Sequence, residues 1–150
     1  MFNPQEFLSQ QNTDGKFETQ FTPIPAGEYI GLIQKLDAKE QSKPDGSGVW
    51  TIVDIQIQID DARAKDATGL PNPMIKDSLF LDIENGKLAT GKNKNVALGR
   101  YLEAVGANGV PGNPFQHLQG KMVKVQCVVE PDKKDSTKLY TRVKAVGKAQ

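Results

Sequence analysis

The sequence predicts a mainly β fold: a small, strongly bent antiparallel sheet of five strands, one helix between the third and fourth, and an arm ahead of the first. Three observations carry this expectation. Apolar and polar residues alternate with a period of two, most plainly from Val53 to Asp60, where Val53, Ile55, Ile57 and Ile59 face one way and Asp54, Gln56, Gln58 and Asp60 the other. Convincing helical spacing is confined to one segment. Clusters of Gly, Pro, Asn and Asp separate successive strands closely enough for hairpins.

Residues 1–25 read as an arm, polar and Gln-rich, with Phe2, Phe7, Phe17 and Phe21 spaced through it. Pro4 to Gln11 suits a short helix opened by proline. The phenylalanines are expected to pack on the domain or on another copy of the chain, which would make a homo-oligomer. Residues 26–150 form the single domain that 150 residues predict. Its first strand is expected over Gly27 to Lys39, with Ile30, Leu32 and Leu36 in one phase and Tyr29, Ile33, Lys35 and Lys39 in the other. Gly31 would permit a bend there.

Lys43-Pro44-Asp45-Gly46-Ser47-Gly48 is a turn, so the second strand, Val49 to Asp60, forms a hairpin with the first. Trp50 and Ile52 fall on its polar face, and Trp50 there is either a rim residue or a platform for something flat. Residues 61–73 read as a loop and Ile75 to Glu84 as the third strand, with Phe80 opposite the phase of Ile75, Leu79, Leu81 and Ile83. After a Gly/Lys/Asn loop, Leu98, Leu102 and Val105 mark a helix over Val96 to Val105, stopped by Gly106. Gly106 to Pro114 is a loop. Strand four is Lys121 to Glu130, with Val123, Val125, Cys127 and Val129 buried. The turn Pro131 to Thr137 leads to strand five, Lys138 to Val146, where Leu139, Thr141, Val143 and Ala145 oppose Tyr140, Arg142 and Lys144. This order of elements is that of a five-stranded OB-fold barrel, with a β-sandwich as the alternative.

The net charge of +1 hides an asymmetry: residues 1–84 carry 7 basic against 14 acidic side chains, and residues 85–150 carry 12 against 4. A basic face in the C-terminal half would suit a polyanion, although the halves could also neutralise each other. No apolar run approaches the roughly 18–20 residues that span a bilayer, so no membrane association is expected. No secretory signal is visible. The single cysteine excludes an internal disulfide and a multi-cysteine zinc site, and fits a reducing cytoplasm.

Aromatic and basic residues form the clearest constellation. Tyr29, Lys35, Trp50, Phe80, Tyr140, Arg142 and Lys144 are all expected off the core face. Exposed rings stack the bases of single strands while Lys and Arg follow the phosphates; the competing role for each ring is to cap the sheet or pack under a loop. Lys87, Lys92, Lys94 and Arg100, with no acidic residue between Asn85 and Arg100, make a second cluster, either a backbone-contacting loop or a solvated one.

Gly86-Lys87-Leu88-Ala89-Thr90-Gly91-Lys92-Asn93 nearly spells a phosphate-binding loop but has Asn93 where Ser or Thr must reach magnesium. Asp132-Lys133-Lys134 is an ordinary turn rather than a nuclease centre. His117, the sole histidine, suits loop packing, and Cys127 a small core hydrophobe. Asp60-Asp61 lacks further oxygen ligands at calcium-loop spacing. No catalytic set and no cofactor are expected.

The entry Phe21-Thr22-Pro23-Ile24-Pro25-Ala26-Gly27-Glu28-Tyr29 resembles that of a group of bacteriophage proteins found among replication and recombination functions. So do the second strand after its Gly-Ser-Gly turn, Leu98-Gly99-Arg100-Tyr101-Leu102 before a Gly-rich loop, and Leu118-Gln119-Gly120-Lys121-Met122-Val123-Lys124-Val125 with its hairpin. The resemblance covers about residues 21–146. It implies an OB-fold single-stranded DNA-binding protein, not an enzyme, in the host cytoplasm, with phage replication or recombination proteins as partners. The end, Val143 to Gln150, is basic, unlike the acidic tail by which bacterial single-stranded DNA-binding proteins recruit partners.

Overall fold

The computed structural model describes residues 1–11 and 15–149. The strands are β1 (Gly27–Ser42), β2 (Val49–Ile59), β3 (Met74–Leu81), β4 (Ile83–Glu84), β5 (Lys87–Leu88), β6 (Met122–Pro131) and β7 (Leu139–Lys148). The helices are α1 (Pro4–Leu8), α2 (Ala62–Thr68), α3 (Val96–Ala104) and α4 (Pro114–Leu118).

β1 is long because it serves two partners. Gly27–Leu32 pairs with β6, and Gly31–Ser42 with β2, both antiparallel. β3 adds to β2 and β7 to β6, giving the order β3-β2-β1-β6-β7, with β4-β5 as a separate small hairpin. The fold is mainly β, as expected, but two expectations change. More than one helix lies between strands three and four: the β4-β5 hairpin, α3 and α4 all do, and the expected loop 61–73 holds α2. The sheet is also not closed into a barrel by hydrogen bonds, since β3 and β7 are both edges. They do approach within 8 Å between Cα atoms. At this seam runs the end of the arm, where Ile24 is buried and its carbonyl accepts from Thr141 Oγ1 at 2.7 Å. Side chains and an arm segment seal the gap that a strand ladder would have closed.

The inner face of the sheet supplies the core through Ile33, Val53, Ile55, Ile57, Ile59, Ile75, Leu79, Val123, Val125 and Cys127. α3 covers it with Leu98, Tyr101 and Leu102, and α4 with Leu118. Alternation breaks at two bulges, where one residue is inserted and every later side chain changes face. In β1 the register shifts between Ile33 and Lys35. Tyr29, Gly31 and Ile33 therefore face inward before the shift, and Leu36 after it. Ile30 is exposed, contrary to the expected phase. In β7 the shift leaves Lys144 unpaired between Val143 and Ala145, so Val146 rather than Ala145 turns inward.

One half-buried carboxyl lies under α3. Asp77 accepts a hydrogen bond from the Tyr101 hydroxyl, and burial raises its pKa above the ordinary 3.8. The folded state therefore holds this proton more tightly than the unfolded chain. Asp77 thus costs stability as pH rises above about 4, where an unfolded carboxyl is already ionised. Asp77→Asn is expected to melt higher than the parent at pH 7, with the difference vanishing near pH 3. A lower melting temperature at pH 7 would show that the ionised form is favoured.

Candidate nucleic-acid interface

The outer face of β1-β2-β3 is set by the register. Across the three strands, Lys39 stands opposite Ile52 and Ile52 opposite Phe80; the next rung holds Asp37, Asp54 and Ser78, and the one after Lys35, Gln56 and Lys76. Trp50 precedes Ile52 on the same face, beside Gln41. The Trp50 and Phe80 rings meet edge to face, centroids 5.4 Å apart. Ile52 lies outside the main core yet is 1% exposed, with Lys39 and Phe80 as its neighbours in register and Trp50 two residues before it on the same face. This is a small apolar cluster on the wrong side of the sheet for folding. Phe80 keeps 56% of its surface open.

Charge flanks the rings. Lys39 reaches Asp54 at 3.2 Å, and Ser78 donates to the same carboxylate, which these two partners hold below its usual range, the Ser78 bond foremost. Lys35 lies 3.5 Å from Asp37 with both side chains solvated. Lys76 has no carboxylate within 4 Å among the described residues. It shares a groove with Tyr140, met across the β3-β7 seam. Lys76 and Phe80 are four residues apart on one face, about 13 Å along the strand.

The loop from β3 to α3 leaves the sheet at the Phe80 end. Asn95 clamps it: its Oδ1 accepts from Asp82 N at 2.8 Å, and its Nδ2 donates to the carbonyls of Asp82 and Ala89, each at 2.9 Å. Asp82 Oδ2 in turn accepts from Asn95 N. The loop lysines are thereby tethered two residues beyond Phe80. Lys87 and Lys92 are exposed and unpaired among the described residues, Lys94 is 3.6 Å from Glu84, and Arg100 is exposed on α3.

Other expected site residues are placed differently. Tyr29 is corrected to the core: it is 2% exposed, its hydroxyl donates to Pro25 O at 2.7 Å, and the Arg63 guanidinium lies 4.5 Å over its ring. It offers no stacking surface. Arg142 is held by both oxygens of Glu130, at 2.9 and 2.8 Å, and this pairing keeps the Glu130 carboxyl below its usual range. Tyr140 remains exposed beside it, and Lys144 stands out on the β7 bulge. Lys76 and Ser78 carry no signal in the sequence beyond sharing the phase of Phe80. The alternation puts Ile52 on this face but does not reveal its burial.

Asp60, Asp61 and His117 each have a structural partner. Asp60 pairs with Lys65, while Asp61 caps α2 and binds Arg63. His117 Nε2 lies 3.0 Å from Pro111 O. Cys127 is buried, and burial foremost pushes its thiol up to about 11. No group of three potential metal-ligating side chains occurs among the described residues, and no helix there is long and apolar enough to cross a membrane. Comparison with protein-family models finds none that matches the chain, and comparison with curated proteins finds no match either.

Lys76 is the cleanest probe of polyanion contact, because removing it strands no carboxylate at ion-pair distance. If it meets one phosphate of a single strand, Lys76→Ala lowers the slope of log K against log salt by about 0.7. The loss of affinity should be similar for all base compositions.

Proposed function

We propose that this protein is a non-enzymatic, sequence-tolerant binder of single-stranded DNA, built on an OB fold and serving phage replication or recombination. The observation that carries the reading is the Trp50-Phe80 pair over Ile52 on the solvent side of β2 and β3. A fold gains little by mounting its only tryptophan there with a half-open phenylalanine beside it. A base gains a stacking surface worth roughly 1–3 kcal/mol. Lys35, Lys39 and Lys76 on the same face, with Lys87, Lys92 and Lys94 on the adjoining loop, supply phosphate contacts.

The OB assignment rests on the strand order β3-β2-β1-β6-β7 with its two edges drawn together, a doubly employed β1, and α3 covering the core between β3 and β6. In such folds the face of strands two and three is the usual seat of oligonucleotides. The other reading is a phage structural or protein-interaction module without nucleic-acid binding. Native-gel retention of a labelled mixed-sequence oligonucleotide separates them. The proposal expects retention at low salt that competing double-stranded DNA does not abolish. Absence of retention at low salt would favour the interaction module.

A further inference from the structure

We propose that segment 2–8 of one copy docks into the groove beside α3 of a second copy, so that the protein self-associates head to tail. This is independent of nucleic-acid binding.

The arm is shaped as a ligand without a seat. Asn3 Oδ1 accepts from the backbone amides of Gln5 and Glu6 at 3.1 and 3.3 Å, and Pro4 opens the turn, so α1 is deliberately capped. A single turn of this length does not sustain itself in water. Yet Phe2 and Phe7, centroids 5.5 Å apart, and Leu8 are all exposed, and no residue of α1 is buried. Such a turn becomes worth forming when its apolar side meets a groove on a partner.

The groove has a feature that its own chain does not explain. It occupies about 440 Å³ and is walled by Leu88, Val96, Leu102, Val110 and Pro114, with Gly99 in its floor. Gly99 lies inside α3, where glycine costs roughly 1 kcal/mol relative to alanine. A Cβ there would meet nothing within 4 Å, so packing within the chain does not require the glycine. A ring lying close against the helix would. Charge selects the occupant. Glu6 is the one charged side chain in residues 1–13, and the one charged side chain lining the groove is a lysine, Lys94. Residues 9–22 can reach about 45 Å when extended, enough to bridge to a neighbour. Because arm and groove are different surfaces, the contact is heterologous and can propagate from copy to copy.

Sedimentation velocity of the full chain without nucleic acid tests this, up to about 1 mM, the weak end of specific association. The parent should show species larger than dimers as concentration rises. Phe7→Asp and Gly99→Leu, each confirmed as folded by circular dichroism, should stay monomeric alone. Their equimolar mixture keeps one intact arm and one intact groove, and should associate but stop at a dimer. A parent that remains monomeric, as it would with the arm folded onto its own groove, overturns the proposal. So do variants that associate like the parent, or a mixture that does not associate.

Discussion

Replacing Gly31 by alanine is expected to destabilise the protein by about 2–3 kcal/mol, a cost set by overpacking. Gly31 lies where β1 passes from pairing with β6 to pairing with β2, opposite Ile59 and Val123. A methyl there would overlap Ile57 Cγ2 and stand 2.9 Å from Ile59 Cδ1. Neither isoleucine has room to withdraw, since both are fully buried. The backbones of β1 and β2 must separate instead, at the point where β1 carries both halves of the sheet. For a chain of this size the melting temperature should fall by roughly 5–10 °C. A fall of less than about 2 °C would mean that the inner face tolerates the extra volume and is looser than its burial implies.

Trp50→Ala is expected to weaken binding of single-stranded DNA by roughly 5- to 150-fold, the equivalent of 1–3 kcal/mol for one stacked base. Stability should change little, by about 1 kcal/mol, because Trp50 is half-buried and lies on the outer face, edge to face with the exposed Phe80. The contrast between the two readouts matters. A ring placed for folding would lose stability in proportion to its size, about 3–5 kcal/mol for a buried tryptophan. Phe80→Ala should follow Trp50→Ala in binding, and the double variant should lose less than the sum, because each ring orients the other.

The regular parts of this fold were legible because one rule governed them. From Val53 to Ile59 the two-residue period continues unbroken, and the core residues read there are those found. The helix at Val96 and both hairpins also stand where turn and capping residues put them. Phase failed where the backbone carries a bulge. Nothing in Gln34 or Lys144 announces an inserted residue, and one insertion moved Tyr29 from a supposed binding face into the core. Chain closure was equally hidden. Ile24 meets Thr141 across 117 positions, a pairing that no local pattern contains. At the candidate site, Trp50 and Phe80 could be found as exceptions to alternation. Arg142 could not be discounted, since its Glu130 partner lies on another strand.

Base stacking requires that Trp50 lie where a base can reach it, and its own emission reports this, as it is the sole tryptophan. The direct measurement is titration of the protein with oligo-dT at low and at moderate salt while Trp50 fluorescence is followed. Saturable quenching, with affinity falling as salt rises and weakened in Phe80→Ala, is the predicted result. Emission unchanged at low salt across the titration would contradict it.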